Sequence, residues 1–167
     1  MPEAVANTGP ILHLQEIGRL NALTAVVPLL LPDLVAEELD LRGAGIARLR
    51  EAGIPFTVST VETPVWRDVL RNVAPHIQPA DAQVFALVRA SRYQALALTD
   101  DLALRRLLEN HQAAVTGTVG LLIRSYSQHT LSRDELETAL DELFRLSSLH
   151  LSRAFRTYLG KLLEDLP

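Results

Sequence analysis

Ala95-Leu96-Ala97-Leu98-Thr99-Asp100-Asp101 is a short apolar run that closes on two acids and leads into a helical segment. Four other runs, Ala4 to Ala6, Leu29 to Leu31, Pro55 to Val58 and Ala113 to Val115, alternate with helical patterns in the same way. That alternation predicts an α/β fold built on strand–helix–strand units, with a short and mainly parallel sheet. Ala95, Leu96 and Ala97 are poor strand formers, so their position between helices carries the assignment more than their composition does.

Working outward, prolines punctuate the helices. Pro10, Pro32, Pro64 and Pro79 stand where a first helical turn begins, a place where the missing N–H costs nothing. Thr63 is the expected cap before Pro64, and Ser132 with Glu135 forms a capping box ahead of Leu136, Leu140 and Leu143 at helical spacing. Phe155, Tyr158, Leu159 and Leu162 repeat that spacing in a last helix. The expected organisation is one α/β domain over residues 1–128 and a two-helix extension over 129–167, packed on the same domain.

The 167 residues are 48% hydrophobic and 22% charged, the proportions of one domain that buries its core without disulfides. The absence of cysteine excludes zinc–thiolate sites, iron–sulfur clusters and thiol nucleophiles. A net charge of -4 gives no general field that attracts polyanions. Lys161 is the sole lysine; the arginine bias reads most simply as a coding habit, and alternatively as the better fit of Arg forks to phosphate. No apolar stretch approaches the roughly 18 residues of a membrane span, and no signal-peptide pattern opens the chain, so a cytoplasmic protein is expected.

In an open parallel sheet ligands bind at the carboxyl ends of the strands, so polar residues that end apolar runs are the first candidates. Asn7-Thr8-Gly9-Pro10 follows the first run, Asp100 and Asp101 the fourth, and Thr116-Gly117-Thr118 the fifth. Glu38 and Asp81 sit early in two helices. Gathered together, Glu38, Asp81, Asp100 or Asp101 and the Asn7 side-chain carbonyl would form a nest of oxygen atoms. Two carboxylates about 4 Å apart repel by about 4 kcal/mol at an effective dielectric of about 20, so such a nest requires a cation. Oxygen donors without cysteine or paired histidine select Mg²⁺ or Mn²⁺ over zinc, and such an ion grips phosphate. The five histidines share no metal-binding spacing and are expected in the core or on the surface. Each candidate also has a plainer role. Asp100 or Asp101 would cap a helix, Asp81 would answer a helix dipole, Glu38 would be a solvated helix residue and Asn7 a turn residue.

In chain order, Ala6-Asn7-Thr8-Gly9-Pro10-Ile11, Pro32-Asp33-Leu34-Val35-Ala36-Glu37-Glu38-Leu39, Ala80-Asp81-Ala82-Gln83, Leu98-Thr99-Asp100-Asp101 and Val115-Thr116-Gly117-Thr118-Val119-Gly120-Leu121-Leu122 resemble the PIN-domain nucleases. The nearest likeness is to a prokaryotic VapC-toxin-like branch with a TGT-GLL segment and a helical tail. The resemblance runs from about Val5 to the C-terminus. It implies a three-layer α/β/α PIN-like fold and a metal-dependent endoribonuclease. Glu38, Asp81 and Asp101 fall on the family's acids for one or two Mg²⁺ or Mn²⁺ ions, with Asp100 as an added ligand and Thr99 as the hydroxyl that orders the site. Asn7 stands where the family normally has aspartate, and Gln83 where related sequences often have glutamate. Both departures bear on catalysis more than on fold. The implied partners are an RNA substrate, a small antitoxin protein over the site and a second copy in a homodimer, with no membrane.

Arg105, Arg106 and Thr118 are the candidates to hold flanking phosphates, the arginines having a salt-bridged helix face as their alternative. A competing reading keeps the fold and drops the turnover, leaving a PIN-like binding module weakened at Asn7 and Gln83. A phosphoacceptor receiver domain lacks its acid pair after the first strand and its late sheet lysine. A haloacid-dehalogenase-like phosphatase lacks its nucleophilic aspartate where Asn7 stands.

Overall fold

The computed structural model describes residues 3–167. Five strands, β1 Ala4–Ala6, β2 Leu29–Pro32, β3 Phe56–Ser59, β4 Leu96–Leu98 and β5 Val115–Thr116, form one sheet in the order β3-β2-β1-β4-β5. Every neighbouring pair is parallel. All five expected runs are strands: β1 matches its run at both ends, and the other four have ends displaced by one or two residues. β1 is wholly buried, as are Leu29, Leu31, Ala97 and Leu98, which is why these strands read as unbroken apolar runs and not as alternating ones.

The helices are α1 Thr8–Glu16, α2 Asp33–Leu41, α3 Ile46–Glu51, α4 Thr63–Asp68, α5 Pro79–Ala90, α6 Leu102–Asn110, α7 Thr118–Ser127, α8 Arg133–Leu146 and α9 Arg153–Asp165. α5 packs across β1, β2 and β4 and against α6, while α1, α7 and α8 pack together. The result is a three-layer α/β/α arrangement. Pro79 is the first residue of α5, as its sequence position predicts, and the Ser132–Glu135 capping box forms at the start of α8. Thr63 is not a cap: α4 begins on Thr63 itself, its preceding residue is Glu62, and no side chain bonds the first turn. Among the described residues no helix is long and apolar enough to cross a membrane.

The chain runs outward from β1 through β2 to β3, then returns to place β4 on the other side of β1. Crossover helices therefore leave β1 and β4 in divergent directions, and a crevice opens at their carboxyl ends. The last two helices do not form a separate core. Leu136, Ala139, Leu140, Leu143 and Leu159 join the same buried cluster as the strands.

Candidate active site

Asn7 leaves β1 and caps α1, whose first turn has unpaired N–H groups that need an acceptor. Its Oδ1 accepts the Thr8 N–H at 2.9 Å. That contact fixes the amide, so Nδ2 donates to Asp81 Oδ1 at 2.8 Å and to Thr99 Oγ1 at 3.2 Å. The side-chain carbonyl expected among the cation's ligands is thus turned into the helix, and Asn7 presents N–H to the acids.

Asp81 is the third residue of α5 and is buried. Its Oδ2 accepts the Gln78 N–H at 3.1 Å, half of a capping box. Burial pushes its carboxyl above the usual carboxylate range, against the pull of Asn7 and Gln78, and the charges of Asp101 and Glu38 push it further. Asp81 thus lies within reach of the charges of two acids from distant segments. Asp101 caps α6, with Oδ1 accepting the Leu104 N–H at 2.7 Å, and its own N–H donates to Thr99 Oγ1 at 3.1 Å. Glu38, on α2, accepts the Thr8 hydroxyl at 2.5 Å. Thr99 is fully buried and its hydroxyl ties Asn7 to Asp101.

Asp100 turns away from this group. Its Oδ2 lies 2.7 Å from His13 Nδ1 and accepts the Thr118 hydroxyl at 2.5 Å, while Oδ1 accepts the Thr118 N–H at 2.8 Å. Both oxygens are occupied within the protein. Gly117 makes this possible, because a Cβ there would strike Asp100 Oδ1 and lie 3.1 Å from the Thr99 carbonyl oxygen. Thr118 is itself fully buried, with hydroxyl and amide both on Asp100, so it positions that acid. His13 was expected in the core or on the surface without a site role; it is buried but lines the acid cleft. The available signal was its place one turn after Gly9 on the helix that leaves β1.

Glu38, Asp81, Asp100 and Asp101 line one cleft of about 450 Å³, together with Arg42 and with Ser148, Leu149 and His150 from the connector between α8 and α9. Sequence reading missed this last contribution. Among the described residues no three His, Asp or Glu stand close enough to enclose an ion. Glu38, Asp81 and Asp101 offer the hard oxygen donors that Mg²⁺ and Mn²⁺ take, but as placed they do not close around a single ion, and Asn7 faces them with a donor. Arg105 donates to the Thr99 carbonyl at 3.3 Å and pairs with Glu109 at 3.4 Å, as the salt-bridged alternative expected. Arg106 is exposed and outside the cleft lining. Gln83 is buried and its Oε1 accepts the Leu34 N–H at 3.0 Å, fastening the first turn of α2 to α5.

A family model described as a PIN domain matches residues 3–164. The chain belongs to the PIN-domain family. No curated protein and no solved structure matches it. PIN domains are in general metal-dependent nucleases that act on nucleic acid, and the acids of this PIN domain gather at the sheet crevice where such chemistry would be housed.

Proposed function

We propose that this PIN domain is an endoribonuclease that hydrolyses RNA phosphodiesters, with Glu38, Asp81 and Asp101 holding Mg²⁺ or Mn²⁺. The observation that carries the reading is geometric: Glu38, Asp81 and Asp101, from three separate segments, line one cleft at the carboxyl ends of β1 and β4. Glu38, Asp81 and Asp101 would hold such an ion, whose chemistry when bound would be activation of a water and charge neutralisation at the phosphate. The chain's own contribution is positioning. Asn7 steadies the Asp81 carboxylate, Thr99 fixes Asp101 relative to Asn7, and the Thr8 hydroxyl aims Glu38. Asp100, locked by Thr118, orients His13 on the cleft wall. The test is incubation of purified protein with single-stranded RNA and Mn²⁺. Cleavage should stop with chelator and with Asp101→Asn, and cleavage indifferent to both would reject the assignment.

The toxin role belongs to the same proposal and is supported by the resemblance to VapC-like sequences. It predicts growth arrest on expression, relieved by a small co-encoded protein that covers the cleft, and a homodimer in solution. One observation favours a second reading, a binding module with weakened turnover: Asn7 offers a neutral donor where the family normally places a charge. Calorimetry separates the two, since the nuclease should bind Mn²⁺ with measurable heat and the weakened module should show little.

A further inference from the structure

A strand that enters the acid cleft meets four carboxylates, Glu38, Asp81, Asp100 and Asp101, on a chain whose net charge of -4 gives it no general attraction for phosphate. A metal ion answers one phosphate; its neighbours along the strand need a cation from the protein. The side chains first expected in that role are engaged elsewhere. Arg105 holds Glu109 and the Thr99 carbonyl, Arg106 lies outside the cleft lining, and Thr118 gives its hydroxyl and N–H to Asp100. Arg42 is different. Among the described residues it is the one arginine or lysine that lines the cleft. It is exposed, and among the described residues no acid lies within ion-pair distance of it, whereas Arg19, Arg48, Arg89, Arg133 and Arg145 each have one.

Local structure explains why the guanidinium is free and its base is fixed. Arg42 ends α2 one turn after Glu38, the i, i+4 order in which an acid and a cation ordinarily pair. Glu38 accepts the Thr8 hydroxyl instead, at 2.5 Å. The Arg42 N–H bonds the Glu38 and Leu39 carbonyls at 3.2 Å each, and the Gly43 carbonyl accepts Gln15 Nε2 at 3.2 Å, which ties the turn after Arg42 to α1. The base of the side chain is thereby held about one helical turn, roughly 5.4 Å, beyond Glu38. A plainer role exists, since a cation at the C-terminus of α2 answers the helix dipole. That role bears on stability and leaves RNA affinity alone.

We propose that Arg42 grips the RNA phosphate next to the one at the acids. The inference rests on the nuclease reading above and adds the residue that sets the register of the strand in the cleft. A guanidinium fork donates two parallel N–H bonds to one phosphate, a match that an ammonium group does not make. One helical turn separates Arg42 from Glu38, so the phosphate it holds is a neighbour of the scissile one. The contact is made equally before and during the reaction, and it therefore acts on binding more than on turnover.

The experiment uses the full chain and a short fluorescent single-stranded RNA, with affinity measured at several salt concentrations in Ca²⁺ and cleavage measured in Mn²⁺. Arg42→Gln should weaken binding roughly tenfold and make the plot of log affinity against log salt shallower by about 0.7, the loss of one phosphate contact on a single strand. Arg42→Lys should keep the wild-type slope and recover part of the affinity. In cleavage, KM for Arg42→Gln should rise roughly tenfold with a smaller fall in kcat. A neutral methylphosphonate placed at each linkage in turn locates the contact. At one linkage beside the cleaved one it should weaken wild type as much as Arg42→Gln does, and weaken that variant no further. An unchanged salt slope, or a methylphosphonate penalty equal in wild type and variant at every linkage, overturns the assignment; a lowered thermal midpoint with either result leaves Arg42 as a helix-end cation only. A wild type that binds with the Arg42-dependent slope but does not cut overturns the nuclease reading and keeps the phosphate contact. A wild type that neither binds nor cuts RNA removes both.

Discussion

Replacing Asn7 by aspartate would set another carboxylate against Asp81 Oδ1, where a donor now stands 2.8 Å away. Without a cation, the loss of a buried hydrogen bond and the added repulsion should cost about 2 kcal/mol of stability, read from urea midpoints in chelator. With Mn²⁺ present the deficit should shrink, because the new charge is what a hard cation attracts. A deficit indifferent to Mn²⁺ would mean that the acids do not bind it. Asp81 itself gives a pH signature. Its folded-state carboxyl titrates above the ordinary value of 3.8, so the folded protein binds more protons than the unfolded chain between those two points. This contribution to stability is fully present below the unfolded value and is lost as pH rises through the folded one. In chelator, unfolding free energy should therefore fall across that window in wild type, and Asp81→Asn should flatten the slope. An identical pH profile for the variant would show that Asp81 titrates normally.

At the scale of elements, helix starts and metal chemistry compete for the same side chains. Asp101 is the N-cap of α6 and Asp81 is part of the α5 capping box, so the plain roles read from sequence are real and do not displace the chemical one. Asn is as good a cap as Asp, which allows the two roles to be separated. Asp101→Asn should leave the thermal midpoint nearly unchanged while reducing Mn²⁺-dependent cleavage roughly a hundredfold or more. Asp101→Ala should lose cleavage and also about 1 kcal/mol of stability. If Asp101→Asn cuts as fast as wild type, the residue is only a cap. Much of this level was legible in sequence. Runs such as Ala95 to Thr99 could be placed by the helices around them, and Pro79 and Ser132 marked helix starts through their own chemistry. What stayed hidden was direction. Asp100 and Asp101 are adjacent acids, and only the α6 cap decides that the second turns to the Leu104 N–H while the first faces Thr118 and His13. Asn7 was legible as a likeness to the family's aspartate, yet the need of α1 for an acceptor reversed the end of the amide that meets the site.

For the whole molecule, the question is whether residues 129–167 are an attachment or part of the fold. α8 buries Leu136, Leu140 and Leu143 in the common core, each contributing about 1.5–3 kcal/mol, and the sum rivals the roughly 5–15 kcal/mol stability of a typical domain. α9 fully buries Leu159 alone. A chain ending at Gln128 should therefore lose cooperative unfolding and aggregate through the face that α8 covers on α1 and α7. A chain ending at Ser147 should keep a cooperative transition at a lower midpoint. That shorter protein would also lack Ser148, Leu149 and His150 from the cleft wall and the tie from Ser148 to Glu16, so its KM for RNA should rise more than its kcat falls. Thermal circular dichroism on the three lengths, with steady-state cleavage on the two that fold, measures both effects. A sharp melt at the wild-type temperature for the Gln128 chain would show that the sheet and α1–α7 are self-sufficient, and that the extension is an appendage that happens to reach the acids.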